Sequence, residues 1–227
     1  TISSLKVAAN TELNVAQGKT LSGSTEVAAS TTLNLSGTGT FGSALNLLGT
    51  LEAGANLTVS GLISVGGDSA VSIPVNTTLT YTGGDIDVGS YTLSIGGAGT
   101  FSNANNSALV LNVAGYSILD LSGTGTITGP VKLDGGTLKA SAGTPTISGA
   151  LTQYDNATIE VAANQTLNYS GASLNVGAKT LTLSGGGTFN NTNALVLNNA
   201  DSLLSLAGIL TIRDIDGTTS SNSGKGI

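Results

Sequence analysis

The sequence predicts an all-β protein, a right-handed parallel β-helix (β-solenoid) of about ten coils. The first observation behind this prediction is an internal repeat, because residues 76–101 and 164–189 align without a gap at an offset of 88 residues. The second is a period of two in the apolar residues, which glycine-rich turns interrupt every few residues. No stretch has the periodicity of an α-helix.

The two copies of the repeat place similar residues at equivalent positions, and a shorter phrase recurs at Ser36 and Ser122, 86 residues apart. One unit divided by four gives coils of about 21–22 residues, within the range of solenoid repeats. We expect two or three short strands a coil, with Leu, Val and Ile inside and Thr, Ser and Asn outside. The equivalent pairs are Leu79 and Leu167, Tyr81 and Tyr169, Val88 and Val176, Leu93 and Leu181, and Phe101 and Phe189.

The repeat also predicts the domain organisation. We expect one continuous solenoid over residues 1–216, with super-repeats at about 24–110 and 110–197, a partial third copy, and a flexible polar tail or linker at 217–227. The alternative is a tandem of antiparallel β-sandwiches. It is less favoured because no Asn-Gly or Asp-Gly turn joins two long alternating strands, which is the commonest hairpin signal.

Composition excludes several kinds of site. The 227 residues include no cysteine or histidine, so disulfides, thiolate metal sites and histidine bases are excluded. A net charge of −6 argues against nucleic acid as a partner, because the phosphates of nucleic acids bind to basic surfaces. No apolar run approaches the length of a bilayer span, so we expect no membrane insertion. We also expect no cofactor.

Two phrases resemble a known class of repeat. Leu-Asn-Leu-Ser-Gly-Thr-Gly-Thr-Phe at 33–41 and Leu-Thr-Leu-Ser-Gly-Gly-Gly-Thr-Phe at 181–189 are similar to the β-helical passenger repeats of autotransporters and filamentous-haemagglutinin-like adhesins. The resemblance extends over nearly the whole chain. It implies a secreted rod, extracellular or displayed at the cell surface, and it transfers no catalytic residue to any position.

One acidic pair is a weak candidate for a calcium or catalytic site. Asp85 and Asp87 lie two residues apart on one face of a predicted strand, and nearby carboxylates can bind calcium or share a proton. In the aligned copy they become Ser173 and Asn175, so the pair does not belong to the scaffold. We therefore expect two solvated carboxylates.

A second acidic pair, Asp214 and Asp216, precedes Gly217 and matches only part of a calcium loop. The cations are scattered, and no cluster of them accompanies either pair. A catalytic site needs such groups to converge, so we expect that the protein is not an enzyme. A polysaccharide-active enzyme that uses Asp85 and Asp87 is the least favoured function.

Two polar patterns suggest surface roles. Thr-x-Thr pairs begin at Thr38, Thr78, Thr124, Thr144 and Thr180, and a stacked Thr/Asn face would suit a carbohydrate- or ice-binding module. Threonine is also the ordinary residue of exposed β surfaces, and we favour that explanation. Eight sequons are candidate glycan acceptors: Asn34, Asn56, Asn76, Asn105, Asn156, Asn164, Asn168 and Asn190.

The ends of the predicted solenoid suggest its function. An open β-helix exposes unpaired backbone groups at its ends, and solenoids need polar caps to stay soluble alone. No cap precedes Leu5 and Val7. We therefore expect a slice of a longer rod, or copies that stack end to end into a filament. The expected function is structural, as a filament subunit or an adhesin stalk, with copies of itself, the rest of a longer rod or surface glycans as partners.

Overall fold

The computed structural model describes residues 4–103, 108–112, 116–197, 199–207 and 211–214. Over these residues the chain forms thirty β-strands and no helix. The strands are short because the glycine-rich turns of the sequence interrupt them every few residues.

The strands of the first half of the chain are β1 Ser4–Val7, β2 Thr11–Asn14, β3 Thr20–Leu21, β4 Ser24–Val27, β5 Thr32–Ser36, β6 Thr40–Phe41, β7 Ala44–Leu47, β8 Thr50–Ala53, β9 Leu57–Val59, β10 Ile63–Val65, β11 Ser69–Ile73, β12 Thr78–Tyr81, β13 Ile86–Asp87, β14 Thr92–Gly97 and β15 Thr100–Asn103. Those of the second half are β16 Leu109–Asn112, β17 Ile118–Gly123, β18 Thr126–Ile127, β19 Val131–Asp134, β20 Thr137–Gly143, β21 Thr146–Ile147, β22 Leu151–Asp155, β23 Ala157–Val161, β24 Thr166–Tyr169, β25 Leu174–Asn175, β26 Thr180–Gly185, β27 Thr188–Asn191, β28 Leu195–Val196, β29 Leu203–Ala207 and β30 Thr211–Asp214.

Every third strand stacks in the same sheet. Long sheet 1 contains ten strands, from β2 and β5 to β29, and long sheet 2 contains ten, from β3 and β6 to β30. The third side, called the short face, is divided into sheets β1-β4-β7-β10, β13-β16-β19-β22 and β25-β28. Neighbouring strands pair in parallel, as in β2 with β5 and β3 with β6. The prediction of a parallel β-solenoid is confirmed, and the alternative of antiparallel sandwiches is wrong.

The solenoid has about nine turns, close to the ten expected. Its coils are uneven in length: Leu33 is followed by its stacking partner Leu51 after 18 residues, and Leu93 by Leu119 after 26. Longer turns account for this spread, because the strands themselves stay short. The right-handed sense of the winding stays a prediction.

The 88-residue repeat corresponds to four successive strands of each long sheet. Strands β11 and β23 stand four places apart in long sheet 1, as do β12 and β24 in long sheet 2. Their pairings also correspond, since Ser69 pairs with Leu93 and Ala157 pairs with Leu181. The limits given for the super-repeats stay predictions, and the predicted tail at 217–227 lies outside the described residues.

Alternation along each strand builds a narrow core of stacked columns. In β12 the inward residues Leu79 and Tyr81 are fully buried, whereas Thr78 and Thr80, which alternate with them, are half-buried. Leu79 pairs with Phe101 in the next coil, and the rings of Tyr81 and Phe101 stack with centroids 6.4 Å apart. Each fully buried side chain of this size contributes about 1.5–3 kcal/mol relative to exposure.

The Ser-Gly-Thr-Gly-Thr phrase forms the corner between the two long sheets. Gly123 ends β17 with a φ of 108°, and a Cβ atom there would lie 2.3 Å from the carbonyl oxygen of Gly97 in the preceding coil. A Cβ on Gly125 would lie 2.7 Å from the carbonyl oxygen of Gly99. Close packing between the coils therefore requires both glycines. After this corner the chain continues into β18, where Ile127 points inward.

Turn carboxamides and carboxylates join successive coils. One asparagine pair stacks directly, where Asn190 Nδ2 donates to Asn168 Oδ1 at 2.8 Å. More often the side chain accepts a hydrogen bond from the backbone N–H of the threonine that lies at the next coil. These bonds join Asn10 to Thr32, Asn56 to Thr78, Asp68 to Thr92 and Asn156 to Thr180, at 2.7–3.0 Å.

Candidate functional site

The low-numbered end of the rod exposes both backbone and apolar groups. Strands β1, β2 and β3 each stand at the edge of their sheets, with a partner on one side only among the described residues. Leu13 and Leu21 are only partly buried, whereas their stacking partners Leu35 and Phe41 are 1% exposed. The apolar columns of the core are thus open at this end.

The high-numbered end is open in the same way. Leu206 of β29 pairs with Leu183, and the exposed fraction rises from 0% at Leu183 to 46% at Leu206. Leu204 is partly buried, whereas its partner Leu181 is fully buried. Within the described residues, both ends therefore present the two features that a further β-coil would cover: strand edges without a partner and apolar side chains.

The structure brings a cation to Asp85, which the sequence did not reveal. Asp85 Oδ2 lies 2.6 Å from Lys132 Nζ, and Asp85 Oδ1 accepts a hydrogen bond from the backbone N–H of Ala108 at 2.8 Å. Lys132 follows Asp85 by 47 residues, which is two coils of the short face. Laying successive coils over one another is the only signal in the sequence that could have revealed this contact.

The ion pair lowers the pKa of Asp85 and raises the pKa of Lys132, so it favours the charged form of both groups. The hydrogen bond from Lys132, followed by that from Ala108, lowers the pKa of Asp85. The Asp85 carboxylate in turn raises the pKa of Lys132. Both side chains are more than a third exposed, so solvent screens the pair and its contribution to stability is small. A paired, ionised Asp85 resembles a surface ion pair more than a poised general acid.

The structure describes the other acidic candidates only in part. Asp87 Oδ1 accepts a hydrogen bond from the backbone N–H of Gly89 at 2.8 Å, and Asn175 Oδ1 does the same with Gly177 at 2.9 Å. Asp87 is thus part of a turn that the aligned copy repeats. Asp214 ends β30, and Asp216 lies outside the described residues. Among the described residues, no group of three or more acidic side chains could hold a metal ion.

Tyr81 and Tyr169 belong to the core. Both are 0% exposed. The Tyr81 hydroxyl accepts a hydrogen bond from the N–H of Ile63 at 3.3 Å, and the Tyr169 hydroxyl accepts one from Leu151 at 3.1 Å. Burial raises the pKa of both phenols. Each ring therefore fills the core while its hydroxyl satisfies a buried backbone donor.

Hydroxyl groups cover the outside of long sheet 2. Strand pairing aligns Thr20, Thr40 and Thr58 in one column, which Thr80 continues in β12. A neighbouring column contains Thr78, Thr100, Thr126 and Thr146. No charged residue occurs in the nine strands of this sheet from β3 to β27. This surface, called the hydroxyl face, is more regular than the Thr-x-Thr pairs predicted.

The Thr-x-Thr pairs were a poor guide to that face. Thr78 and Thr80 do lie on one strand, but Thr38, Thr124 and Thr144 precede strands β6, β18 and β21 in the turns. The corner between sheets separates each of these three from its partner. Stacking from coil to coil, and not spacing within a strand, forms the columns.

The sequons differ in their accessibility. Asn76 and Asn164 are exposed in equivalent turns, with φ angles of 61° and 64°. Asn56 and Asn156 are exposed, but each accepts a hydrogen bond from the next coil. The remaining acceptors include Asn34, Asn168 and Asn190, which lie half-buried within strands, and Asn105, which lies outside the described residues.

A shallow groove crosses the first sheet of the short face. It has a volume of about 380 Å³ and lies over Ser24, Asn46 and Ser64. The ion pair between Lys6 and Glu26, at 2.9 Å, lines it as well. Because the two charges neutralise each other, the groove has no strong preference for the charge of a ligand.

Comparison with family models, with curated protein sequences and with solved structures finds no match to the chain. Within the described part of the chain, no helix has the length and hydropathy needed to cross a membrane. The chain is a β-helical repeat protein by its own strand pairing.

Proposed function

We propose that the chain is a secreted structural β-solenoid, which forms an extracellular rod as a filament subunit assembled end to end or as an adhesin stalk. The observation that supports this proposal is the opening of the core columns at both ends, at Leu13 and Leu21 and at Leu204 and Leu206. A further coil placed on either end would bury these side chains and pair the strand edges.

The proposed function is mechanical. Two ten-stranded parallel sheets run along the rod, so hydrogen bonds between successive coils lie along its axis. Ion pairs between adjacent coils, such as Lys139 with Glu160 at 2.9 Å, lie on the same path. Tension along the axis is shared by the two continuous long sheets and, within each of its three separate sheets, by the short face as well, which favours stiffness over extension.

The two structural roles differ in what supplies the next coil. In a filament it comes from another copy, and in a stalk it comes from the same longer chain. The resemblance to autotransporter and haemagglutinin-like repeats and the low content of charged residues, 9%, support an extracellular or cell-surface location. The stacking contact itself is heterologous, because the low-numbered end meets the high-numbered end, and such contacts do not close.

Two variants test end-to-end assembly. Leu13→Glu places a charge at the low-numbered end, Leu204→Glu places one at the high-numbered end, and Thr100→Glu on the hydroxyl face is the matched control. We expect the wild-type chain and the control to form larger species as concentration rises in sedimentation velocity. Each end variant alone should stay monomeric, because a buried unpaired charge opposes the contact. Circular dichroism checks that every variant is folded.

Mixing the two end variants gives the sharper result. One free end of each kind remains in the mixture, so we expect dimers and nothing larger. Association of the end variants equal to that of the wild type would show that the ends are not the contact. A wild-type chain that stays monomeric at every concentration would eliminate the filament and leave the stalk, whose further coils belong to the same chain.

A second candidate function, a carbohydrate- or ice-binding module, is supported by the charge-free columns of the hydroxyl face. Threonine has a stiff side chain, so the hydroxyls and methyls repeat at the strand spacing of about 4.8 Å. Substitution of Thr126 by Lys at the centre of the face should abolish binding to a periodic surface. The measurement is inhibition of ice recrystallisation. If the wild type does not inhibit it, or if the variant inhibits it as well as the wild type, ice is eliminated as the ligand.

A further inference from the structure

Three tyrosines lie on the surface of a chain that contains few aromatic residues. Tyr91, Tyr116 and Tyr154 are 40%, 97% and 54% exposed, in contrast with the buried Tyr81 and Tyr169. Several exposed aromatic rings close together offer apolar surface to a partner, because the burial of such rings is strongly favourable. Their placement in the fold therefore matters.

Tyr91 and Tyr116 occupy adjacent coils. Tyr91 directly precedes β14 and Tyr116 lies two residues before β17. The two strands pair with Thr92 beside Ile118, and the N–H of Ile118 donates to the Tyr91 carbonyl oxygen at 3.0 Å. The backbone of Tyr116 therefore lies one coil above that of Tyr91 and one residue to the side, at the edge where the short face turns into long sheet 1.

Tyr154 continues the same edge two coils further along. Ile118 pairs with Thr137, so counting back two residues places Gly135 beside Tyr116. Asp134 pairs in turn with Asp155, the residue that follows Tyr154. The three tyrosines thus occupy the first, second and fourth of four successive coils, over roughly 14 Å at the strand spacing.

The third coil and the flanks supply space and polar groups. Gly135 and Gly136 carry no side chains, so the edge is open between Tyr116 and Tyr154. Asp134 and Asp155 lie beside this opening, and Lys179 lies 3.8 Å from Asp155 in the coil above. The edge therefore alternates exposed aromatic rings with hydrogen-bonding side chains along the rod axis.

We propose that Tyr91, Tyr116 and Tyr154, called the tyrosine row, form a binding site for a neutral polysaccharide chain that lies along the rod. The C–H groups on the faces of pyranose rings pack favourably against the electron-rich faces of aromatic rings. Carboxylates accept hydrogen bonds from sugar hydroxyls, and few such polar groups are needed to fix orientation.

The shape and charge of the edge favour a neutral glycan over other partners. The tyrosine row is one side chain wide and has polar groups on its flank, whereas a protein interface has a broad, fully buried centre. Lys179 offsets the charge of Asp155, whereas Asp134 and the net charge of −6 disfavour an acidic polysaccharide.

The test uses isothermal titration with two neutral hexasaccharides, cellohexaose and chitohexaose, and with heparin as the acidic comparison. The variant Tyr91→Ser, Tyr116→Ser, Tyr154→Ser removes the rings. The corresponding triple Tyr→Phe variant keeps them. The matched control is Thr32→Ala, Thr50→Ala, Ser72→Ala on the outside of long sheet 1. All the substitutions are outside the core, and thermal melting verifies folding.

We expect the wild-type chain to bind at least one neutral hexasaccharide and not heparin. The serine variant should bind about tenfold more weakly or worse, as loss of several aromatic anchors implies. The phenylalanine variant and the long sheet 1 control should bind within a few-fold of the wild type.

Three results would overturn the proposal. They are no binding of either neutral hexasaccharide by the wild type at millimolar concentration, equal binding by the serine variant, and loss of binding in the long sheet 1 control. A serine variant that changes only self-association in sedimentation velocity would assign the tyrosine row to a protein contact instead. None of these results depends on whether the ends assemble.

Discussion

Two regions of the rod, residues 69–103 and 157–191, are copies of one another and show which positions the scaffold requires. Tyr81 and Tyr169 are both buried and both accept a hydrogen bond from the preceding coil. Asp87 and Asn175 make the same turn. The outward position differs, since Asp85 of the first region becomes Ser173 in the second.

The difference follows from what each position touches. Inward and turn residues meet the next coil, so a change there creates a cavity or leaves a donor unpaired. Outward residues meet water, so Asp85 can be gained or lost with little effect on the fold. Equal effects are therefore expected for matched substitutions at scaffold positions, and unequal effects at outward positions.

The largest expected effect is the removal of the buried tyrosine rings. Tyr81→Ala and Tyr169→Ala should each destabilise the rod by about 3–5 kcal/mol, because each leaves a large cavity and an unpaired backbone donor. The two values should agree to within about 1 kcal/mol if the copies are equivalent. Guanidinium unfolding followed by circular dichroism measures both, and a negligible effect at either site would contradict the described core.

Substitution of a corner glycine is expected to cause the second-largest loss of stability. Gly185 has a φ of 100°, and a Cβ atom there would lie 2.0 Å from the carbonyl oxygen of Val161. Gly177 also has a positive φ, 60°, but nothing lies within 4 Å of its Cβ position. Gly185→Ala should therefore cost about 2 kcal/mol more than its control Gly177→Ala, which costs only the left-handed strain of about 1 kcal/mol. Similar melting temperatures for the two variants would refute the corner packing.

The tyrosine hydroxyls should have a smaller effect than the rings. Tyr169→Phe leaves the N–H of Leu151 without its partner, at a cost of about 1–2 kcal/mol. Tyr81→Phe should cost a similar amount through Ile63. If thermal melting shows both Phe variants to be as stable as the wild type, the hydroxyl bonds do not contribute as described.

The fold was largely predictable because solenoid coils repeat in the sequence. The period of two, the 88-residue offset and the glycine-rich turns can all be read from the sequence. Each of them corresponds to a feature of the structure. Contacts between outward side chains of different coils were not predictable. Lys132 and Asp85 meet because their coils stack, and the unequal lengths of the coils hide that register in the sequence. The register of the tyrosine row depends on strand pairing in the same way.

The smallest expected effect is at the outward position that differs between the copies. Because the pKa of Asp85 is lowered in the folded chain, its contribution to stability is present above the ordinary aspartate pKa of about 3.9. That contribution is lost as pH falls through the lower pKa of the folded state. Asp85→Asn should cost less than about 1 kcal/mol at pH 7, and the cost should shrink as pH falls below the ordinary aspartate pKa.

Ser173→Ala is the matched control, and its effect should not depend on pH in this range. Melting temperatures measured between pH 2 and pH 7 distinguish the two variants. An Asp85→Asn effect that grows as pH falls would have the wrong sign for a carboxylate held ionised by Lys132.

The measurement that tests end-to-end assembly most directly is electron microscopy of the purified chain at neutral pH across a concentration series. Open columns at both ends predict filaments that lengthen with concentration, with a spacing of about 4.8 Å between coils that continues across each junction. Isolated rods of about nine turns at every concentration would contradict the claim that the ends are assembly surfaces of this chain.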